Sequence, residues 1–228
     1  MILALHGNVG STKDFDLLFG EESILPVNLW SMAHLSLPEV AKELKKLVAD
    51  NSENERGLLG YSMGGRIALQ ALGADPDFWD FAIIISAHPG LPNLNEREER
   101  KRRDQQWADL IRSDGWEAFL EQWNAQDVLA DGMASLYQAD LEVEKQNIAT
   151  GFENWSTGCQ EDLRPQLANY NGRVVWMVGE RDEKFRRIGE EMAELMPNCR
   201  LVIVPDCGHR VIFSCPEAVK EQVARALL

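Results

Sequence analysis

Ser62, Asp182 and His209 have the residue types, and occur in the order, that nucleophilic or general-base chemistry needs. Ser62 sits in Gly60-Tyr61-Ser62-Met63-Gly64-Gly65, a G-x-S-x-G pattern. A serine hydroxyl stays unreactive until an imidazole accepts its proton, and the imidazole needs a carboxylate to fix its tautomer and orientation. His209, in Asp206-Cys207-Gly208-His209, is the candidate imidazole, and Asp182, in Gly179-Glu180-Arg181-Asp182, the candidate carboxylate. Glu180 and Asp206 compete as acids in poorer register, and Asp182 also suits a helix N-cap. His6 precedes a Gly7 turn and reads as a structural hydrogen-bonding residue. His34 falls in a variable loop, and His88 comes too early in the chain.

Elements must hold these groups together. Short apolar runs predict strands at Met1–Leu5, Ile24–Leu29, Gly57–Tyr61, Phe81–Ala87, Arg173–Val178 and Arg200–Val204. Helices are expected at Leu37–Ala49, Met63–Leu72, Glu183–Leu195 and Pro216–Leu228. The alternation implies a parallel sheet with helices on its faces. Ser62 then lies at a strand-to-helix turn, where small neighbours let a strained backbone pack closely and a helix N-terminus offers a positive dipole. Asp182 and His209 follow the carboxyl ends of two strands, where sites on such sheets gather. The loop His6-Gly7-Asn8-Val9-Gly10-Ser11 follows the first strand and can aim N–H groups at a developing oxyanion, with Asn8 and Met63 as the natural donors. Residues 92–170 differ: they are charged, show helical periodicity and carry Trp107, Trp116, Trp123 and Trp155. They read as a helical cap inserted between a first core part, 1–91, and a second, 171–228.

Composition narrows the functions. The formal net charge is −14, which disfavours nucleic-acid binding, although local basic clusters can still hold an anionic small molecule. No apolar run reaches the ~20 residues of a membrane span, and the start shows no secretory leader, so a cytoplasmic protein is expected. The four cysteines lack paired metal spacing and read as reduced thiols; Cys207, two residues before His209, is the one whose position admits a nucleophilic role. No metal site is expected.

These motifs identify the chain as resembling the α/β-hydrolase fold, with its first hairpin shortened or absent. More specifically, Gly60-Tyr61-Ser62-Met63-Gly64-Gly65-Arg66 resembles the SHCHC synthases of menaquinone biosynthesis. So do His88-Pro89-Gly90-Leu91, Arg97, Arg100, Asp104-Gln105-Gln106-Trp107-Ala108, Trp123 and Gly179-Glu180-Arg181-Asp182-Glu183-Lys184-Phe185. The resemblance implies a lyase on a hydrolase fold. It would remove pyruvate from 2-succinyl-5-enolpyruvyl-6-hydroxy-3-cyclohexene-1-carboxylate (SEPHCHC), leaving 2-succinyl-6-hydroxy-2,4-cyclohexadiene-1-carboxylate (SHCHC), with the triad serine as base. It implies no metal or organic cofactor.

The resemblance further implies that Arg66 and Arg100 hold substrate carboxylates and that Tyr61 and Trp123 line the site. Guanidinium forks suit that task. Arg97, Lys101, Arg102 and Arg103 read instead as a solvated helix face, and Trp107, Trp116 and Trp155 as packing. Two departures from the family stand out. Lys145 replaces a further cap arginine, and Leu29-Trp30-Ser31-Met32-Ala33-His34 replaces a Gly-His-Gly turn. The alternative function is a small-molecule carboxylesterase or thioesterase with Ser62 as covalent nucleophile; a binding receptor would have no need of the Asp182–His209 pair. Expected partners are a small anionic substrate and, at most, a second copy of the chain: monomer or homodimer.

Overall fold

The computed structural model describes residues 1–16, 24–49, 55–113 and 115–227. Six strands form one sheet: β1 (Ile2–Leu5), β2 (Ile24–Val27), β3 (Gly57–Tyr61), β4 (Phe81–Ile85), β5 (Arg173–Gly179) and β6 (Cys199–Val204). Their order is β2-β1-β3-β4-β5-β6, and every neighbouring pair is parallel. Buried side chains alternate across the sheet as the two-residue period of a strand requires. Leu3, Leu5, Leu58, Ile84, Trp176 and Val178 join one core cluster. Ile2, Ala4, Leu59, Tyr61, Ile83 and Met177 join the other. The run Phe81–Ile85 is apolar without alternation because β4 is covered on both faces.

Helices α1 (Leu37–Val48) and α2 (Met63–Ala74) contribute buried side chains to the first cluster. In α1 the apolar stripe Val40, Leu44 and Val48 faces the core, and the helix starts on a capping box in which Glu39 accepts from the Ser36 N–H at 2.8 Å. Between β4 and β5 the described chain is helical or irregular: α3 (Leu94–Ser113), α4 (Trp116–Asn124), α5 (Asp127–Ala130), α6 (Lys145–Asn154) and α7 (Arg164–Leu167). After β5 come α8 (Glu183–Leu195), then α9 (Val211–Ser214) and α10 (Pro216–Ala226). Val219 and Val223 of α10 seal the second cluster. Expected and observed ends agree closely; Leu228, the expected last helical residue, lies outside the described residues.

The parallel arrangement puts the carboxyl ends of all six strands at one edge of the sheet. The chain reverses there between β1 and β3, on either side of which the sheet is built outward, so a crevice forms at that point. The loops after β1, β3, β4, β5 and β6 carry Asn8, Ser62, His88, Asp182 and His209 to it. Among the described residues no helix is long and apolar enough to cross a membrane.

Candidate active site

Ser62 occupies the turn from β3 into α2 with φ 51° and ψ −107°. A residue with a side chain adopts such a left-handed conformation only where its surroundings impose it. Two glycines make that possible. A Cβ on Gly60 would stand 2.6 Å from the Gly64 oxygen, and one on Gly64 would overlap the carbonyl of Leu5. The serine backbone is held by its N–H on the Ile85 oxygen, 2.8 Å, so the hydroxyl is presented rather than buried.

The three separated residues meet here. His209 Nδ1 lies 2.7 Å from Asp182 Oδ2, and His209 Nε2 lies 3.2 Å from Ser62 Oγ. A carboxylate can only accept, so Nδ1 carries the proton and Nε2 is left to accept from the serine. Asp182 stands at the N-cap of α8 as the sequence allowed, but its side chain makes no cap hydrogen bond and goes to the histidine. Of the rival acids, Glu180 accepts from the Asp206 N–H at 3.1 Å and both are exposed. Cys207 is sealed from solvent, and burial, then a hydrogen bond with the free thiol of Cys215, pushes its own thiol up to about 12, which removes it as a nucleophile.

Asn8 and Met63 line a small recess beside Ser62, together with Arg66, Ser86, His88 and Lys184. Met63 is the first residue of α2, so its N–H has no partner within the helix. The loop bearing Asn8 is braced from behind. Trp30 Nε1 donates to the Gly10 oxygen at 2.8 Å, and Leu29 N–H donates to His6 Nε2 at 3.2 Å. His6 therefore carries its proton on Nδ1, which donates to the Gly7 oxygen; burial holds its ring down to about 4, a neutral structural group. Here the segment Leu29–His34, which departs from the family turn, finds a use: a 3₁₀ turn at Leu29–Met32 buries Trp30 on Trp155, ring centroids 6.0 Å apart.

The alpha/beta hydrolase family model matches residues 5–222. The chain belongs to the alpha/beta hydrolase family. Within it, the chain is 31% identical over 239 residues to the 2-succinyl-6-hydroxy-2,4-cyclohexadiene-1-carboxylate synthase of Escherichia coli O139:H28, covering 99% of this chain and 93% of that protein. It is 33% identical over 174 residues to the same synthase of Escherichia coli O1:K1, covering 75% of this chain and 67% of that one. Among solved structures, MenH from S. aureus superposes with a TM-score of 0.88 at 20% identity, over 98% of this chain and 91% of that one. The likeness read from the sequence motifs thus extends along the whole hydrolase chain.

A cavity of about 280 Å³ opens on Ser62, and its wall carries several charged side chains. Four cations, Arg100, Arg103, Lys184 and Arg210, line it against two carboxylates, Asp14 and Asp104, with Tyr61, Trp123 and Phe185 supplying aromatic surface. Arg100 is fixed by both oxygens of buried Asp104, 2.9 and 2.8 Å from its Nε. Arg66 is 6% exposed and donates to Gln160 Oε1 at 3.1 Å and to the Trp155 oxygen at 2.7 Å. Burial, then the Arg100 charge, lowers its guanidinium to about 10, still a cation at neutral pH. Trp123 is packed in a ring cluster with Trp107 and Phe152, centroids 5.4 and 5.2 Å away.

Two expectations need correction. Lys145 does not line the cavity; at the junction of a 3₁₀ turn and α6 its side chain turns back to Glu142, 3.4 Å away. Arg97 is only partly solvated, since its Nε donates to the Gly158 oxygen at 3.0 Å, whereas Arg103, exposed and paired with Glu99 four residues before it, keeps the expected solvated face while also lining the cavity. Ser86 and Arg210 belong to no motif in the sequence, and His88 enters there only within the family-like run His88–Leu91 and as a rival histidine. All three come to the site from the loops after β4 and β6.

Proposed function

We propose that this hydrolase-fold enzyme is a lyase that eliminates pyruvate from SEPHCHC to give SHCHC in menaquinone biosynthesis. The observation that carries the reading is the cationic wall around a triad serine in a chain of net charge −14. The substrate's name specifies three carboxylates, on the succinyl arm, the ring and the enolpyruvyl arm. Arg66, Arg100 and Lys184 cluster beside Ser62 where such groups need counter-charges. The relatives named SHCHC synthase support the same substrate.

The chemistry follows from the two names. The substrate is a 3-ene with the enolpyruvyl oxygen on C5, and the product is a 2,4-diene. Ser62 Oγ, relieved of its proton by His209 Nε2, removes the C2 proton next to the succinyl ketone. The C–H electrons form C2=C3, the ring double bond moves to C4=C5, and the C5–O bond breaks. Pyruvate leaves as its enolate and takes up a proton, which the imidazolium can return. Charge develops on the succinyl ketone oxygen during proton removal, and the Asn8 and Met63 N–H groups donate to it, a role supported by their position in the recess beside Ser62. Asp182 keeps His209 in the accepting tautomer and stabilises the imidazolium. Residues 92–170 act as the cap that brings Arg100 and Trp123 over the substrate. The enzyme works in the cytoplasm, a reading supported by four unpaired thiols.

A carboxylesterase or thioesterase remains the second reading, because the serine, imidazole and two N–H donors would serve acyl transfer equally well. Parallel assays separate the two. Pyruvate release from SEPHCHC far above background, with slow or absent turnover of an activated aryl ester, is the expected result. An acyl burst and steady ester hydrolysis, with only background pyruvate release, would replace the lyase reading by the hydrolase one.

A further inference from the structure

Two guanidiniums near Ser62 are almost fully buried, and Arg210 is the one that no motif announced. It is 5% exposed, follows His209 directly, and lines the large cavity but not the recess that holds Asn8, Met63 and Arg66. Its own hydrogen bonds go to neutral groups: Nη1 to the Gly132 oxygen at 3.4 Å and Nη2 to Asn124 Oδ1. Among the described residues no carboxylate pairs with it. A buried cation without a counter-charge is costly and is kept where a ligand supplies that charge. Arg100 in contrast already holds Asp104, and Arg103 stands 3.6 Å from Glu99 with 61% of its side chain exposed.

We infer that Arg210 binds the carboxylate of the enolpyruvyl arm and steadies the departing pyruvate. The inference rests on the lyase reading above and on the shape of its substrate. C2 and C5 lie across the ring from one another. With the C2 proton at Ser62 and the succinyl ketone against Asn8 and Met63, the succinyl arm is directed to the recess, near Arg66 and Arg100. C5 and its enolpyruvyl group then project away from that recess into the larger cavity, whose own buried, unpaired cation is Arg210. Negative charge grows on that arm as the C5–O bond breaks, so a fixed guanidinium there favours the transition state over the bound substrate. Burial, against the opposing influence of Tyr61, lowers the pKa of this guanidinium, as expected of a desolvated cation awaiting an anion.

The test uses this enzyme with SEPHCHC as substrate and added sodium pyruvate as product inhibitor, and the diene absorbance of SHCHC is the signal. Arg210→Gln should lower kcat/KM by about ten- to hundredfold, the usual range for a lost charge-assisted hydrogen bond. It should also weaken inhibition by pyruvate, and Arg210→Lys should recover part of both. Arg210→Lys keeps the positive charge at the same place, so its pyruvate inhibition constant, compared with wild type, reads the charge even if Arg210→Gln folds poorly. Unchanged pyruvate inhibition in a folded Arg210→Gln would overturn the inference, as would Arg210→Lys losing pyruvate inhibition as fully as Arg210→Gln; wild-type turnover would leave the lyase reading standing in either case. A wild type inactive on SEPHCHC would instead remove that reading, and this inference with it.

Discussion

Asp182 Oδ2 and His209 Nδ1 stand 2.7 Å apart with both side chains at most 5% exposed, and this contact decides which imidazole nitrogen faces Ser62. Replacing the carboxylate by an amide keeps the shape and removes that decision, since an amide can donate to Nδ1 and fix the wrong tautomer. Asp182→Asn should therefore lower kcat by about 10²–10⁴-fold with a smaller change in KM, as loss of the orienting acid does in related triads. Steady-state kinetics of pyruvate release check this. A variant with near wild-type kcat would show that another acid, Glu180 or Asp206, serves the histidine.

Arg66 tests whether the recess needs a fork or only a charge. Its guanidinium is held by Gln160 and the Trp155 oxygen, which leaves other donors free for a carboxylate. Arg66→Ala should reduce kcat/KM by about 10–100-fold, and Arg66→Lys should recover only part, because lysine lacks the paired donors. Full recovery in the lysine variant would argue for a simple electrostatic role.

Acid should loosen this fold, with a sign that the buried groups settle. Burial holds His6 down to about 4, with its Gly7 bond opposing; burial, then Lys184 and nearby arginines, holds His88 down to about 3. In the unfolded chain both would titrate near 6.5, so the unfolded state takes up more protons and stability drains away as the pH falls from there toward the folded values. Asp14 works in the other direction. Burial raises it to about 6, against its bonds with Ser135 and Ser11, so the stability it contributes is complete below about 3.8 and lost as the pH rises through 6. Two histidines outweigh one aspartate, and urea midpoints should fall on acidification; His6→Gln should flatten that fall and Asp14→Asn should steepen it. A wild-type midpoint that rises between neutral and mildly acid pH would contradict the assignment.

Much of this was readable from the residues, for physical reasons that differ by position. The strand Gly57–Tyr61 and the helix Glu183–Leu195 have the observed bounds because their periodicity and flanking turns coincide. The elbow was legible because only glycine fits where Leu5 and Gly65 crowd Gly64 and Gly60. Lys145 misled because its direction depends on helix phase at a 3₁₀-to-α junction, which spacing does not reveal. Arg210 was invisible for another reason: beside His209 it looks like any loop cation, and only Asn124 and Gly132, 86 and 78 residues away, make it part of a wall. Trp30 likewise read as a departure from the family until its bond to the Gly10 oxygen gave it a bracing role.

The most direct test of the whole account is the rate of pyruvate release from SEPHCHC by wild type and by Ser62→Ala under identical conditions. Wild type should release pyruvate rapidly, and the alanine variant should be slower by about 10²–10⁴-fold or more, the span expected when a general base is removed. Wild-type release at the spontaneous rate, or an alanine variant as fast as wild type, would contradict it.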